Sequence, residues 1–275
     1  MDPTQRRTGT YTTGAPRGAD PGAPLVAGVD GCRAGWFAVT VHGTVVTADV
    51  LDDDGLAALV DRATRVWIDM PIGLPDAASA RACDAAVRRI LGRGAAARVF
   101  NPPTRAALEA ADYAEACDRN AAACGARLSK QTWFLVPKIR AVDAMVRVGD
   151  RRRRVAEAHP EWQFAALAGA ALPRKKSAEG LDVRRAVLEA AWPGASAVAD
   201  GSIAATRRAD VARDDVYDAL ALAWGAAQDP ARHVHAPADI PADAVGLPCA
   251  IWTARPDATT RERVAAVVRT PLGAS

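Results

Sequence analysis

The stretch LVAGVDGCRAGWFAV, residues 25–39, decides the fold of this 275-residue chain. Residues 25–29 are apolar and predict a short buried strand. Asp30 comes at the end of that strand, and the apolar pattern resumes at Trp36 after a glycine-rich turn. An ionised carboxylate near a core is costly unless it is hydrogen-bonded, paired or bound to a cation. The position of Asp30 therefore predicts a partner for this carboxylate.

The segments that follow predict the rest of a sheet. Residues 35–42 and 44–50 have the apolar pattern of two more strands, joined by a hairpin turn. Residues 52–64 have the acidic start and the apolar spacing of a helix. RVWIDMPIGLP, residues 65–75, predicts a fourth strand, and this strand also runs into a carboxylate, Asp69.

Later segments predict a helical insertion and then a return to the sheet. Residues from about 76 to 150 are alanine-rich and largely helical, whereas residues 153–162 regain the pattern of a strand. Three helices and one late edge strand are predicted, in that order, at residues 161–170, 181–192, 213–227 and 245–254. This order predicts an α/β fold, a ribonuclease H-like mixed sheet flanked by helices, with a helical insertion after strand four.

The predicted domain covers residues 24–255. Residues 1–23 are rich in Gly, Pro, Thr and Arg and predict a disordered N-terminal tail. Residues 256–275 predict a C-terminal tail.

Composition limits the function classes. A net charge of +3 is too small to establish a polyanion partner, and it does not exclude one, because local clustering matters more than the sum. The five cysteines form no C-x-x-C pair, which argues against a zinc site or a disulfide framework. No apolar run is long enough to span a bilayer. We therefore expect a cytoplasmic protein without a membrane partner.

Carboxylates recur where the predicted elements end. Asp30 and Asp69 close two strands, and they end side by side if those strands are sheet neighbours. Glu157, His159 and Glu161 share one parity in a predicted strand, so they face the same way unless Pro160 ends the strand first. In the last helix, Asp214, Asp215 and Asp218 have the i,i+3 and i,i+4 spacing that directs two carboxylates to one place.

Clustered carboxylates repel one another unless a divalent cation neutralises them, and ligands that are all oxygen suit Mg²⁺ or Mn²⁺. Two such ions can activate a water and stabilise the leaving oxygen of a phosphodiester. The acids therefore predict a nuclease site. Each also has a structural interpretation: a turn for Asp30, a loop cap for Asp69, helix-start acids for Asp214 and Asp215, and a packed histidine for His159.

Seven sequence blocks resemble a known family. In chain order they are GVDGCRAGW, IDMPIGLP, ARVFNPPTR, LSKQTWFLVPKI, EAHPEWQF, RKKSAEGLDVRR and DDVYDALALA. Together they resemble the domain of unknown function four-two-nine family, over about residues 25 to 228. Its members are described as predicted ribonuclease H-like nucleases, and the DALALA helix is similar to that of the Holliday-junction resolvases.

The resemblance implies a set of site residues. Asp30 and Asp69 would be metal ligands, together with a glutamate of the EAHPE block, Glu157 first and Glu161 second. Asp215 and Asp218 of the last helix would complete the catalytic set, with Asp218 as a further ligand. The implied cofactor is Mg²⁺ or Mn²⁺.

Basic and polar residues of the same blocks are candidates for substrate binding. They are Arg33, Lys130, Gln131, Lys138, His159, Lys175 and Lys176. Mixed with Trp133 and Phe134, such residues would suit phosphates and unstacked bases of a nucleic acid. The alternative interpretation is a solvated basic face with aromatic residues in the core.

We therefore expect a divalent-metal-dependent nuclease that acts on DNA or RNA. One alternative is a phosphotransferase or ATPase of the actin-like superfamily, which needs two phosphate loops; here only DGCRAG is convincing, and Asp200-Gly201-Ser202 is a weak second. The other alternative is a non-catalytic nucleic-acid-binding protein with this fold.

Overall fold

The computed structural model describes residues 5–13, 22–76, 81–175 and 177–269, of which residues 5–8 are described by backbone alone. The chain divides into two compact units. Unit 1 comprises Met1–Asp69, Ala158–Val234 and Trp252–Ser275. Unit 2 comprises Met70–Glu157 and His235–Ile251.

The described residues form strands and helices with the following bounds. The strands are β1 Gln5–Thr12, β2 Val26–Cys32, β3 Gly35–His42, β4 Val45–Leu51, β5 Arg65–Ile68, β6 Val155–Glu157, β7 His233–Ala236 and β8 Ile251–Ala254. The helices are α1 Asp53–Arg62, α2 Ala82–Leu91, α3 Arg105–Leu108, α4 Tyr113–Cys124, α5 Lys130–Val146, α6 Pro160–Ala168, α7 Ala178–Ala191, α8 Ala195–Ala205, α9 Arg213–Ala227 and α10 Ala258–Arg269.

Unit 1 is built on a mixed sheet with the strand order β1-β4-β3-β2-β5. Neighbouring strands are antiparallel except β2 and β5, which are parallel. Helix α9 packs against β2, β3 and β5, α1 against β3 and β4, and α8 against β1 and β4. The predicted α/β architecture is confirmed, and this mixed sheet flanked by helices is compatible with a ribonuclease H-like fold.

Gly28 lets α9 lie directly on the central strand. A Cβ atom at Gly28 would collide with the backbone of Ala219 and Ala223 in α9. The absent side chain therefore permits a close approach of helix and strand. Because Asp218 precedes Ala219 and Asp30 lies two residues after Gly28, this contact brings the acidic end of the helix to the acidic end of the strand.

Unit 2 is mainly helical. Helices α3, α4 and α5 contact one another around a small apolar cluster, against which Tyr113 and Trp133 are packed. The members of this cluster are Ala107, Ala110, Ala116, Cys117 and Leu128. The range predicted as a helical insertion, about 76–150, falls within unit 2.

Both predicted tails contain regular structure. Residues 5–12 form β1, which pairs with the edge of β4, because an edge strand offers unpaired N–H and C=O groups that local composition does not reveal. Residues 258–269 form α10, which packs against α6 and α7 and buries Val264. The rest of the predicted tails lies partly outside the described residues.

Pro160 changes the environment of the EAHPE block. The predicted strand 153–162 is shorter in the structure, since β6 ends at Glu157 and Pro160 begins α6. Proline favours the first position of a helix, because its fixed φ suits the helix and its missing N–H is not needed there. The alternation of a strand, on which the expected common face of Glu157, His159 and Glu161 depended, therefore ends at Glu157.

None of the five cysteines, all of which lie within the described residues, forms a disulfide, and four of them are buried. None of the helices described has the combination of length and apolar character that crossing a bilayer requires.

Candidate metal centre

Asp30 and Asp69 lie together because their strands are parallel neighbours. Val29 of β2 is paired with Ile68 of β5, so each aspartate follows at the same edge of the sheet. The Asp69 N–H donates a hydrogen bond to the Val29 carbonyl (3.0 Å), which continues the ladder to this edge. The Asp30 carboxylate accepts a hydrogen bond from the Gly31 N–H (2.7 Å).

Asp218 of α9 completes an acidic cluster with these two residues. One carboxylate oxygen from each of Asp30, Asp69 and Asp218 lies within 4.8 Å of the others. Asp30 is only 7% exposed and Asp218 only 1%. Three carboxylates from three different elements thus converge in a largely buried place, where mutual repulsion is poorly screened by water.

Lys175 is the cation beside this cluster. Its Nζ donates to Asp218 Oδ2 (2.6 Å) and lies 3.3 Å from Asp214 Oδ2. The other oxygen, Asp218 Oδ1, is buried and has no hydrogen-bond partner among the described residues. A buried carboxylate oxygen that accepts no hydrogen bond is unusual, and it can serve as a ligand for a cation.

The pKa values reflect this excess of negative charge. Burial raises the pKa of Asp30 well above its usual range, and the charges of Asp69 and Asp218 raise it further. Burial raises the pKa of Asp69 to about 6 although the Lys175 ammonium lowers it. Burial likewise raises the pKa of Asp218 to about 6 against the same ammonium. One lysine therefore does not offset the cost of ionising this cluster.

Glu161 and Arg184 form a buried ion pair in the same unit as the cluster. The Arg184 Nη2 donates to Glu161 Oε1 (2.6 Å), and both side chains are buried. The charge of Glu161 raises the pKa of Asp69 and of Asp218, so it acts on the cluster electrostatically. Sequence reasoning missed this role of Arg184, although apolar residues three, four and seven positions after it (Val187, Leu188 and Ala191) place it on the buried face of α7.

Glu157, the first choice for a ligand from the EAHPE block, lies in unit 2 and is not in the acidic cluster. Its Oε2 accepts hydrogen bonds from the Ile72 N–H (2.8 Å) and from Arg81. Burial raises the pKa of Glu157 to about 7 although Arg81 lowers it. Within unit 2 this carboxylate is thus held by an arginine and a backbone N–H.

Asp215 caps the start of α9. Its Oδ2 accepts a hydrogen bond from the Ala212 N–H (2.8 Å), which is the structural role that acids often have at a helix start. Burial raises the pKa of Asp215 to about 6 against this hydrogen bond. The same residue also raises the pKa of Asp30 and of Asp69, so its charge is felt at the cluster.

The predicted substrate-binding residues are spread over both units. In unit 1, Arg33 is exposed in the turn after Asp30, and His159 is half-buried directly before α6. In unit 2, Lys130 and Gln131 are exposed at the start of α5, and Lys138 is half-buried further along it. Lys175 is the ion-pair partner described above, and Lys176 lies outside the described residues.

The cluster fits a hard divalent cation. It offers oxygen ligands only, it is largely buried, and it contains an oxygen without a hydrogen-bond partner. Its raised pKa values indicate that a bound positive charge would be stabilising. The chain thus brings together three carboxylates that could hold a cation at this edge of the sheet.

Comparisons with known proteins identify a family. A family model described as protein of unknown function (DUF429) matches residues 28–241, which is more than half of the chain. The chain therefore belongs to this family, and the resemblance of its sequence blocks is confirmed. No curated protein and no solved structure was found to match.

Proposed function

We propose that this member of the DUF429 family is a divalent-metal-dependent nuclease that hydrolyses phosphodiester bonds of nucleic acid. One observation carries the proposal: Asp30, Asp69 and Asp218 converge from three elements, with an oxygen of each within 4.8 Å of the others. Oxygen ligands of this kind favour Mg²⁺ or Mn²⁺ over softer metals.

Asp30, Asp69 and Asp218 would hold the cation. When bound, such an ion lowers the pKa of a water and stabilises charge on a phosphoryl oxygen. Lys175 would neutralise part of the negative charge that an incoming phosphate meets, because its ammonium already lies beside Asp218 and Asp214. Glu161, paired with the buried guanidinium of Arg184, would add to the negative charge that acts on Asp69 and Asp218.

The actin-like alternative finds less support. That group needs a second phosphate loop, and the weak candidate Asp200–Ser202 lies inside helix α8. A non-catalytic nucleic-acid-binding protein remains as the outcome of a negative activity test. Five cysteines without a disulfide among them would suit a reducing location such as the cytoplasm.

The decisive experiment is a nuclease panel. Single-stranded, duplex, hybrid and branched substrates are incubated with the wild type in Mg²⁺, in Mn²⁺ and in chelator. We expect cleavage of at least one substrate in metal and none in chelator. Asp218→Asn should lower the rate about a thousandfold, because the loss of metal-derived stabilisation of the transition state is worth several kcal/mol.

Asp182→Asn is the matched control, since Asp182 is an exposed aspartate of α7 in the same unit. It should cleave as the wild type does. Cleavage that survives in Asp218→Asn, or that proceeds equally in chelator, would contradict the proposed metal centre.

A further inference from the structure

Unit 2 contains a pocket that the metal centre does not use. It encloses about 330 Å³, at the small end of the range for ligand sites. Half of its lining residues come from ARVFNPPTR, residues 97–105, and from the LSKQT segment, residues 128–132. These are two of the blocks that carry the family resemblance, and the acidic cluster leaves both without a function.

Two buried polar side chains in the lining have unused hydrogen-bonding atoms. Thr104 is 1% exposed, and its Oγ1 has no hydrogen-bond partner within the described residues. Arg81 is 5% exposed, and although its Nη2 bonds Glu157, its Nε has no acceptor there. A hydroxyl can donate or accept, whereas a guanidinium only donates. A ligand that satisfies both must therefore carry at least one hydrogen-bond acceptor.

The charges around the pocket argue against an anion as the occupant. The guanidinium of Arg81 is paired with Glu157 and lies 3.7 Å from Asp84, so two carboxylates offset one cation. Arg127, the other cation in the lining, is paired with Asp118 at 2.6 Å. No positive charge is in excess among these groups, and a phosphate would gain little here.

Part of the remaining lining is apolar. Pro75, Phe100, Pro102 and Leu128 line the pocket beside the polar atoms. A neutral planar heterocycle with donors and acceptors on its edge would use both kinds of surface, the rings against the apolar walls and the edge against Thr104 and Arg81. A nucleobase has this chemistry.

Helix α5 connects the pocket to an exposed surface. Ser129 and Thr132 at its start line the pocket. On the same helix, Phe134 is 75% exposed, with Lys130 four residues before it and Lys138 four residues after it. Residues at this spacing share one helix face. An exposed aromatic ring between two lysines suits a stacked base with phosphates on either side.

We infer that the pocket of unit 2 receives one unstacked nucleobase, and that the Lys130–Phe134–Lys138 face of α5 holds the adjoining strand. This inference rests on the proposed function, because it takes nucleic acid as the substrate. The form of nucleic acid recognised would be a single strand, or a duplex from which one base is displaced. A free nucleoside offers the same chemistry to the pocket, and the experiment separates the two sources.

The test measures binding in chelator, so that cleavage plays no part. Fluorescence anisotropy follows a labelled single strand, and calorimetry follows free nucleosides. Thr104→Val removes the unused hydroxyl without removing a protein hydrogen bond, so the variant should fold. Strand binding should weaken roughly threefold to tenfold, the loss of one hydrogen bond. Ser202→Ala removes another buried hydroxyl without a described partner, outside this pocket, and should bind as wild type.

Phe134→Ala separates the helix face from the pocket. It should weaken strand binding about tenfold, since one stacking contact is lost, and leave nucleoside binding unchanged. Ile90→Ala is its control, because Ile90 is an exposed apolar residue of α2 in the same unit. If nucleosides bind and Thr104→Val weakens them while no variant affects the strand, the occupant is a free nucleoside and the strand is excluded.

If wild type and Thr104→Val bind both the strand and the nucleosides equally, the proposed role of the pocket is wrong. Metal-dependent cleavage by the same samples would then still support the proposed nuclease activity. If Thr104→Val weakens binding but the wild type cleaves nothing in Mn²⁺, the proposed nuclease activity is contradicted while the proposed role of the pocket is supported. Absence of any binding in chelator would overturn the inference.

Discussion

Asp218 in unit 1 and Asp243 in unit 2 are both buried aspartates, with side-chain exposures of 1% and 0%. Asp243 is fully bonded: its Oδ1 accepts from Val245 and Leu247, and its Oδ2 accepts from Leu74 and Arg105. Asp218 has one partner, Lys175, and its Oδ1 has none among the described residues.

The pKa values move in opposite directions for this reason. Burial raises the pKa of Asp243, but the hydrogen bonds from Leu247, Leu74 and Arg105 outweigh burial and lower it overall. Burial raises the pKa of Asp218 to about 6, and Lys175 does not compensate. Asp243 in unit 2 is therefore an aspartate whose two oxygens are both hydrogen-bonded, whereas the charge of Asp218 in unit 1 is only partly compensated. Only the second has a reason to bind a cation.

The largest stability effect is expected at Asp243. Asp243→Asn should lower the free energy of unfolding by about 3 kcal/mol. It weakens the ion pair with Arg105, and it replaces one acceptor oxygen by an NH2 group, which cannot accept hydrogen bonds from the N–H donors around it. Chemical denaturation in chelator measures this. Asp239→Asn, an exposed aspartate of the same unit, should change stability by less than about 0.5 kcal/mol. A loss at Asp243 as small as that control would remove the contrast.

Metal should stabilise only the uncompensated site. At a Mn²⁺ concentration about a hundred times the dissociation constant, the wild type should gain about 2.7 kcal/mol, because binding to the folded state shifts the equilibrium. Asp69→Asn and Asp218→Asn should lose this gain, whereas Asp243→Asn should keep it. Thermal melts in Mn²⁺ and in chelator give the comparison, and a full gain in Asp218→Asn would be the contrary result.

Lys175 should oppose both charge repulsion and metal binding. In chelator, Lys175→Met should lower stability by about 1 kcal/mol, because the half-buried ammonium no longer offsets the carboxylates. In Mn²⁺ the variant should gain more than the wild type, since the cation meets no competing charge. Lys130→Met, a change at an exposed lysine, should show neither effect. Equal metal gains in wild type and Lys175→Met would indicate that this lysine is not near the ion.

The smallest effect is a pH dependence of the stability that comes from the acidic cluster of unit 1. The pKa of Asp69 and of Asp218 is raised from 3.8 to about 6 in the folded protein. A raised pKa gives stability that is fully present below pH 3.8 and is lost as the pH rises through about 6. In chelator, the wild type should therefore become more stable relative to Asp218→Asn as the pH falls from about 7.5 to about 5.

His233 should change stability with the opposite sign over part of this range, because burial lowers its pKa to about 4. Taking the difference between wild type and Asp218→Asn cancels that contribution, since both carry His233. In excess Mn²⁺ the trend of the wild type should reverse, because protons then compete with the cation. If the stability difference between wild type and Asp218→Asn does not change with pH in chelator, the pKa of Asp218 is not raised in the folded protein.

The sequence predicted the parts of the site that depend on local pattern. Asp30 and Asp69 were identifiable because each follows an apolar strand, and the α9 segment had an apolar period that placed Asp218 one turn inside the helix. The same patterns predicted the strands β2 to β4 and the mixed α/β fold. Strand and helix periodicity are properties of consecutive residues, so they can be read without a structure.

Tertiary contacts decided which acids meet and which are already satisfied. The parallel pairing of β2 with β5 and the approach of α9 over Gly28 set the distances in the acidic cluster. Glu157 accepts a hydrogen bond from Arg81, 76 residues away in the sequence, and Glu161 accepts one from Arg184, 23 residues away. The charge state of a buried carboxylate depends on its desolvation and on every donor around it. Those donors come from distant parts of the chain, and for that reason only the folded protein distinguishes Asp218 from Asp243.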